Sequence, residues 1–376
     1  MEVQPKPTPP DFNFEIATVQ VNGHSTRGTP RIPQSRETLF VVTFASRAAC
    51  FHKLSLDPHK SLQSLSRTYG PLTFLKIGSV PVIVVSSPEM AKNILQKQDQ
   101  NFACDLYRSC REYFITWRSI RHICATQLFA PTKIKSFQPI ILEEVRSMLR
   151  SIDAEGKQKS CARSKLHAAS SNIISIMALG KKLQMNESNS TANASSHLTS
   201  LLDIFAGGTD TSSITVEWAL AELISHPSKM ERVQDEIDEV VGNSRLVEQD
   251  DVQNMRYFQA VIKETMRLHP VIPFLVPRMA KQECRIEDFD IPANALTFIN
   301  VAIGRDENVW ENPLDFSPER FLGSDFDIRG RHFELPTFDF EPDERLDKIE
   351  KFGFVMALAN PLLLKASRRI PIHLLE

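Results

Sequence analysis

The sequence predicts a mainly α-helical chain carrying a small mixed β-sheet, an α+β architecture. Three observations predict it. Residues 198–225 form one long helical stretch with apolar residues on most of its sides: Leu198, Leu201, Leu202, Phe205, Val216, Leu220, Leu223 and Ile224. Shorter amphipathic segments recur at 117–129, 138–150, 228–242 and 256–268. The β-rich runs are few and short: "LTFLKIG", "VPVIVVS", "PFLVPR", "CRIEDFDIP" and "ALTFINVA".

The elements follow in order. Residues 1–56 are polar and irregular and read as a leader without a membrane anchor, opening on the Pro-rich "MEVQPKPTPPDF". That opening has no basic segment followed by an apolar core, so it is not a secretory signal. "LTFLKIG" and "VPVIVVS" flank Gly78–Pro81 and predict a hairpin. Ser87 then caps a helix with Pro88 in its first turn and Met90, Ile94 and Leu95 as its buried stripe. "WRSIRHICATQLF" sets Trp117, Ile120, Cys124 and Leu128 along one helical side. Residues 186–196 ("NESNSTANASS") are a low-complexity polar linker with N-x-S/T sequons at Asn186, Asn189 and Asn193. The long helix stops at His226–Pro227. "SKME" is a capping box for the next one, with Ser228 capping and Glu231 reaching back. That helix ends at Gly242, and another spans 256–268 and stops before Pro270.

Composition excludes several classes. The 376 residues are 42% hydrophobic and 24% charged, which is ordinary globular usage. Forty-four basic residues against 46 acidic ones leave no basic footprint for nucleic acid. Six cysteines without paired spacing suit a reducing compartment, and no C-x-x-C suggests zinc. No apolar run reaches 18 residues, so no transmembrane helix is expected.

Four constellations carry chemistry. "FAGGTDTSS" places two glycines, an aspartate and three hydroxyl residues inside the long helix, where each glycine costs about 1 kcal/mol relative to alanine. One explanation is a cleft: Gly207 and Gly208 admit a flat ligand, the helix distorts, and Asp210 and Thr211 face the gap as a proton relay. The other is a small-residue contact with a neighbouring helix. "KETMRLHP" puts Glu264 and Arg267 three apart on one face, which by itself is a common surface pair. "SPERF" adds Arg320 about 50 residues on. "WRSIR" sets Trp117 and Arg121 four apart, either as a cation on an indole or as donors to a buried anion.

Together, "AGGTDTS", "ETMR", "PERF" and "WRSIR" resemble the cytochrome P450 superfamily of haem-thiolate monooxygenases, and most closely its plant microsomal members. "PHKSLQSLSRTYGPLTFLKIGSVPVIVVSSPEMAKNIL" and "AIGRDENVWENPLDFSPERFLGSDFDIRGRHFEL" read almost as that group's consensus, within the branch of geraniol and other terpenoid hydroxylases. The resemblance covers about residues 57–335 with gaps, and weakly 338–368. It implies an incomplete cytochrome P450-like fold over 57–376 and haem as cofactor. Trp117, Arg121 and Arg278 would bind its propionates, and Gly207 and Gly208 would lie against it. Asp210 and Thr211 would be catalytic, and Glu264, Arg267 and Arg320 would form a structural triad. It also implies a small apolar, terpenoid substrate, NADPH–cytochrome P450 reductase as partner, and the cytosolic face of the endoplasmic reticulum membrane as location. With the anchor missing, the cytosol is the expected place of this form.

The departures from the family pattern matter as much. After "GRHFEL" the family continues into F-x-x-G-x-R-x-C-x-G, whose cysteine ligates iron. Here "FEL" runs into "PTFDFEPDERLDKIEKFGF", and no cysteine follows Cys284. Cys50, Cys104, Cys110, Cys124, Cys161 and Cys284 all lack that motif's flanking residues. The helix after the loop is missing too, the linker 186–196 replaces helices that roof the substrate pocket, and 336–376 is an altered tail. The expectation is a haem fold without a metal ligand: a catalytically dead form. The alternative is a non-catalytic helical protein that binds an apolar small molecule. His332, in "GRHFEL", is expected to be solvated rather than axial.

Overall fold

The last four residues of "VPVIVV" point alternately to two apolar layers, which is why the run is apolar throughout rather than alternating. Ile83 and Val85 pack with Met90, Ile94, Phe102 and Ile299. Val82 and Val84 pack with Leu62 and Leu75 on the opposite face. This strand is the centre of the sheet in the computed structural model, which describes residues 41–44, 58–77, 80–102, 104–105, 122–156, 158–182, 196–242, 244–287, 289–324, 326, 350–351 and 355–364.

The sheet is mixed. β1 (Val41–Phe44) lies parallel to β2 (Leu72–Ile77), and β2 is antiparallel to β3 (Val80–Val85), with Leu72 opposite Val85. β9 (Leu296–Ile299) pairs parallel to β3, and β6 (Arg278–Met279) and β4 (Cys104–Asp105) complete the order β1-β2-β3-β9-β6-β4. α1 (Pro58–Tyr69) precedes β2. α2 (Pro88–Lys92) starts where the Ser87 hydroxyl accepts the Met90 N–H at 3.3 Å. β7 (Cys284–Ile286) and β8 (Phe289–Ile291) form a separate hairpin.

"PFLVPR" is not a strand over its length. Pro273 and Pro277 offer no N–H to a ladder, and Leu275 takes a left-handed φ of 51°. Only Arg278–Met279 pairs.

The remaining helices form the larger layer: α3 (Asp99–Phe102), α4 (Pro131–Ser136), α5 (Gln138–Glu155), α6 (Ala162–Leu179), α7 (Ser196–Ser225), α8 (Pro227–Val240) and α9 (Arg256–Leu268). Residues 124–128 make a π-helical turn. α7 is continuous for 30 residues, with no break at its glycines. Its apolar surface is one broad face rather than all sides: Trp218 and Leu223 are buried while Val216 and Ile224 are exposed. The side chains of its first turns, including Leu198, Leu201, Leu202 and Phe205, lie outside the described residues, as do residues 1–40 and the linker 186–195. The capping box at Ser228 does not form. The cap lies two residues earlier, at His226, and α8 begins at Pro227, because its ring presets the first helical φ; the His226 carbonyl accepts the N–H groups of Lys229 and Met230. Among the described residues no helix is long and apolar enough to cross a membrane.

The C-terminal segment 355–364 docks on this helical layer. β10 (Leu363–Leu364) pairs with β5 (Ser160–Cys161), and Leu358 and Leu362 pack with Trp218 and Val271. A buried ion pair fixes it. The Glu217 carboxylate accepts the Arg163 Nε–H at 2.8 Å and the Leu362 N–H at 2.9 Å, and Arg163 also donates to the Leu358 carbonyl at 2.7 Å.

Two helices meet the "PERF" turn (Pro318–Phe321) through Glu319, which accepts Lys229 at 3.0 Å, Arg232 at 3.2 Å and the Tyr257 hydroxyl at 2.9 Å. Burial by itself raises the Glu319 carboxyl. The hydrogen bonds from its own N–H, Lys229 and Tyr257, with the Lys229 charge, outweigh that and hold it at about 2 against an ordinary 4.5. Burial and then the same Glu319 contact push the Tyr257 phenol up to about 12 from 10. Between pH 4.5 and 2 the unfolded chain binds the Glu319 proton and the folded chain does not, so stability falls as pH drops through that window. Between pH 10 and 12 the folded chain retains the Tyr257 proton that the unfolded chain loses, so stability falls as pH rises there. Thermal melts across both windows are expected to flatten at the acid end in Glu319→Gln and at the alkaline end in Tyr257→Phe. Unchanged acid and alkaline slopes in these variants would contradict the assignment.

Candidate functional site

Glu264, Arg267 and Arg320 meet in one network. α9 carries Glu264 and Arg267 on the same face, three residues apart, and both side chains are fully buried. Arg267 forks onto Glu264 through Nε and Nη2, each at 2.8 Å, a bidentate pair. Its Nη1 reaches the carbonyls of Gly304 at 2.6 Å and Pro313 at 2.7 Å. Arg320 donates to Glu264 Oε1 at 3.1 Å and to the carbonyls of Glu311, Asn312 and Asp315. The Ser317 N–H adds a further donor to Glu264 at 2.7 Å. Both guanidinium groups lie near the Trp310 ring, at 5.3 and 5.9 Å from its centroid. The network therefore anchors residues 304–320 to α9 through backbone carbonyls. Those acceptors carry no side-chain signature, so sequence alone could not reveal them.

At the middle of α7 the two glycines do different things. A Cβ on Gly208 would press on Ile174 Cδ1, the tip of a flexible α6 side chain that would have to turn aside. A Cβ on Gly207 would meet no described residue within 4 Å. The helix stays α-helical there, and the Gly207 carbonyl is taken by the Thr211 hydroxyl. The distortion expected from two adjacent glycines is absent: the α-helix runs through them without interruption, with Ile174 of α6 beside Gly208. Asp210 points to the α6 side, where His167 lies 3.1 Å from its carboxylate, and both side chains are close to half exposed. His167 had no sequence signal: the pairing depends on which faces α6 and α7 present to each other.

A cavity of about 540 Å³ opens beside Gly207 and Gly208, walled by α6, α7 and the end of the π-helical turn. Its lining includes Ile173, Ile174 and Met177, together with the Ser170 and Ser212 hydroxyls. Asp210 and Thr211 are not in that lining.

Arg278 sits on β6, half-buried, with no side-chain hydrogen bond or ion pair among the described residues. Its guanidinium suits a carboxylate. Trp117, Arg121 and His332 lie outside the described residues. Of the cysteines with described side chains, Cys124 is buried in the π-helical turn, Cys161 accepts the Ser164 hydroxyl at 3.3 Å, and burial pushes the Cys284 thiol up, which keeps it protonated. Arg278 fits a carboxylate of a haem, and the protonated Cys284 thiol lacks the ionised character that an iron ligand needs.

A family model described as Cytochrome P450 matches residues 47–201 and 190–338. Among curated proteins, Cytochrome P450 76T24 of Catharanthus roseus is 31% identical over 76% of this chain and 78% of its own length. Cytochrome P450 76C1 of Arabidopsis thaliana is 28% identical, covering 86% of this chain and 83% of its own. Geraniol 8-hydroxylase of Catharanthus roseus is 27% identical over 86% of this chain and 85% of its own. Among solved structures, a zebra fish cytochrome P450 with progesterone superposes with a TM-score of 0.62 at 23% identity, covering 71% of this chain and 84% of that one, a likeness of fold.

Proposed function

This chain belongs to the cytochrome P450 family, and on that premise we propose that the form encoded here is a non-catalytic member of it. The family's activity is haem-dependent monooxygenation with electrons from a redox partner. Similarity to geraniol 8-hydroxylase supports a small terpenoid as the ancestral substrate class. The observation that carries the proposal is the donor set. Haem-thiolate chemistry needs a cysteine sulfur on iron to favour O–O cleavage, and no cysteine follows Cys284. Arg278 is a fitting partner for a propionate, and Trp117 and Arg121 are the further candidates. Propionate contacts position a haem without ligating its metal. Asp210 and Thr211 keep the family's acid–alcohol pair. Here the Thr211 hydroxyl serves Gly207 and the Asp210 carboxylate serves His167. NADPH–cytochrome P450 reductase, the electron donor expected for a plant member, then has no thiolate-ligated iron to reduce.

The test is the reduced, carbon monoxide-bound difference spectrum of the purified full chain after incubation with haem. The expected result is no strongly red-shifted Soret band. Seeing that band would overturn the proposal and make one of the six cysteines the ligand.

The cavity beside Gly207 favours a second reading, a protein that binds an apolar small molecule without transforming it. Its volume lies within the range of about 300–1,000 Å³ typical of small-molecule sites.

A further inference from the structure

We propose that Glu222 and His269 form a proton-operated lock where α7, α8 and α9 meet, closed by one proton held on the pair and released when rising pH removes it. The lock belongs to the fold itself and depends neither on haem nor on the functional readings above.

The geometry gathers three helix ends around one carboxylate. Glu222 sits in the last turn of α7 and is 3% exposed. Its Oε1 lies 2.6 Å from His269 Nε2. His269 directly follows α9, where its N–H bonds the Thr265 carbonyl at 2.7 Å. Its ring stacks on Trp218 of α7, with centroids 4.4 Å apart. His226 directly follows α7, and its carbonyl caps α8. The His226 Nδ1 lies 2.8 Å from the Glu222 carbonyl and 3.5 Å from Glu222 Oε2. A carbonyl only accepts, so that nitrogen is the donor. The His226 side chain is 34% exposed, so water meets its charge, whereas His269 is sealed. The other charged groups around the joint have partners of their own. Arg267 holds Glu264, Lys229 holds Glu319, and the buried Arg305 donates to the Leu268 carbonyl at 2.7 Å.

Burial sets the proton count. A neutral imidazole can supply the N–H that Glu222 needs, but it leaves a full carboxylate charge out of water. One further proton makes the pair neutral overall, and a neutral pair is much the cheaper occupant of a dry site. In the unfolded chain the two groups titrate near their ordinary values, about 4.3 and about 6.5. Above about pH 6.5 the unfolded chain has given up the imidazole proton and the folded pair still holds it. Folding then takes up one proton. The folding constant therefore falls by about tenfold per pH unit as pH rises, until the folded pair loses its proton as well. Between about pH 4.3 and 6.5 both states carry the same charge, and the pair adds no slope. The windows of Glu319, between about 2 and 4.5, and of Tyr257, between 10 and about 12, lie outside this range.

Urea unfolding of the full-length chain from pH 6 to pH 9 tests the lock, with His269→Gln and His226→Gln as variants. Glutamine keeps an N–H for Glu222 and takes no proton. The folding constant of the parent is expected to fall across this range by at least tenfold more than that of His269→Gln, while His226→Gln follows the parent. A purely structural role for His269 predicts the same loss at pH 6 and pH 9, and that result would overturn the proposal. A slope that survives in His269→Gln and disappears in His226→Gln would overturn it too. A second measurement needs no variant to fold. Calorimetry of the parent at pH 7.5, in two buffers of different ionisation enthalpy, counts the protons released on unfolding. About one is expected, and none released would overturn the lock.

Discussion

Arg267→Met is expected to lower the unfolding free energy by about 3–5 kcal/mol, the range for removing one partner of a buried ion pair. The reason is what it leaves behind. Glu264 is fully buried and, among the described residues, would keep the Ser317 N–H and Arg320. The carbonyls of Gly304 and Pro313 would lose their donor as well. Replacing both partners, with Glu264→Leu beside Arg267→Met, is expected to cost less than the single change, because no isolated charge remains. Urea unfolding monitored by circular dichroism measures both. A loss under about 1 kcal/mol for the single variant would show that the network does not carry the structural role its geometry implies.

Arg163→Leu is the second large change, expected at about 3 kcal/mol, the low end of the same range because the Arg163 side chain retains some exposure. Its partner Glu217 is fully buried and would keep the Leu362 N–H. The effect should be local before it is global. Arg163 also holds the Leu358 carbonyl, so the segment 355–364 is expected to release from α6 and α7 first. Limited proteolysis, with cleavage after residue 350 appearing before cleavage within α7, checks this. Simultaneous loss of both regions would show that segment and helix unfold as one unit.

Helical periodicity made α7 and α9 legible to within a residue or two, and turn chemistry made the β2–β3 hairpin and the Ser87 cap legible. The Glu264–Arg267 spacing was legible as a shared face, since both residues lie on one helix. Its burial was not, because exposure depends on the loops 304–320 that cover α9. The capping box at Ser228 illustrates the opposite error. The local pattern was present, yet Pro227 started the helix two residues earlier, with His226 as its cap.

What the sequence determined by itself is chemical identity: the order of the glycine-bearing helix, ExxR and PERF motifs, and the lack of a cysteine beyond Cys284. Those are properties of covalent order, which no packing can alter. The tertiary structure gave the two glycines different neighbours. Gly208 lies against the Ile174 side chain, and Gly207 borders the cavity beside α6. It also decided that Asp210 meets His167 across 43 residues and that Glu217 fastens a segment 145 residues away. Such pairings depend on the rotation of one helix against another. Side-chain packing sets that rotation over long separations, where local periodicity carries no information.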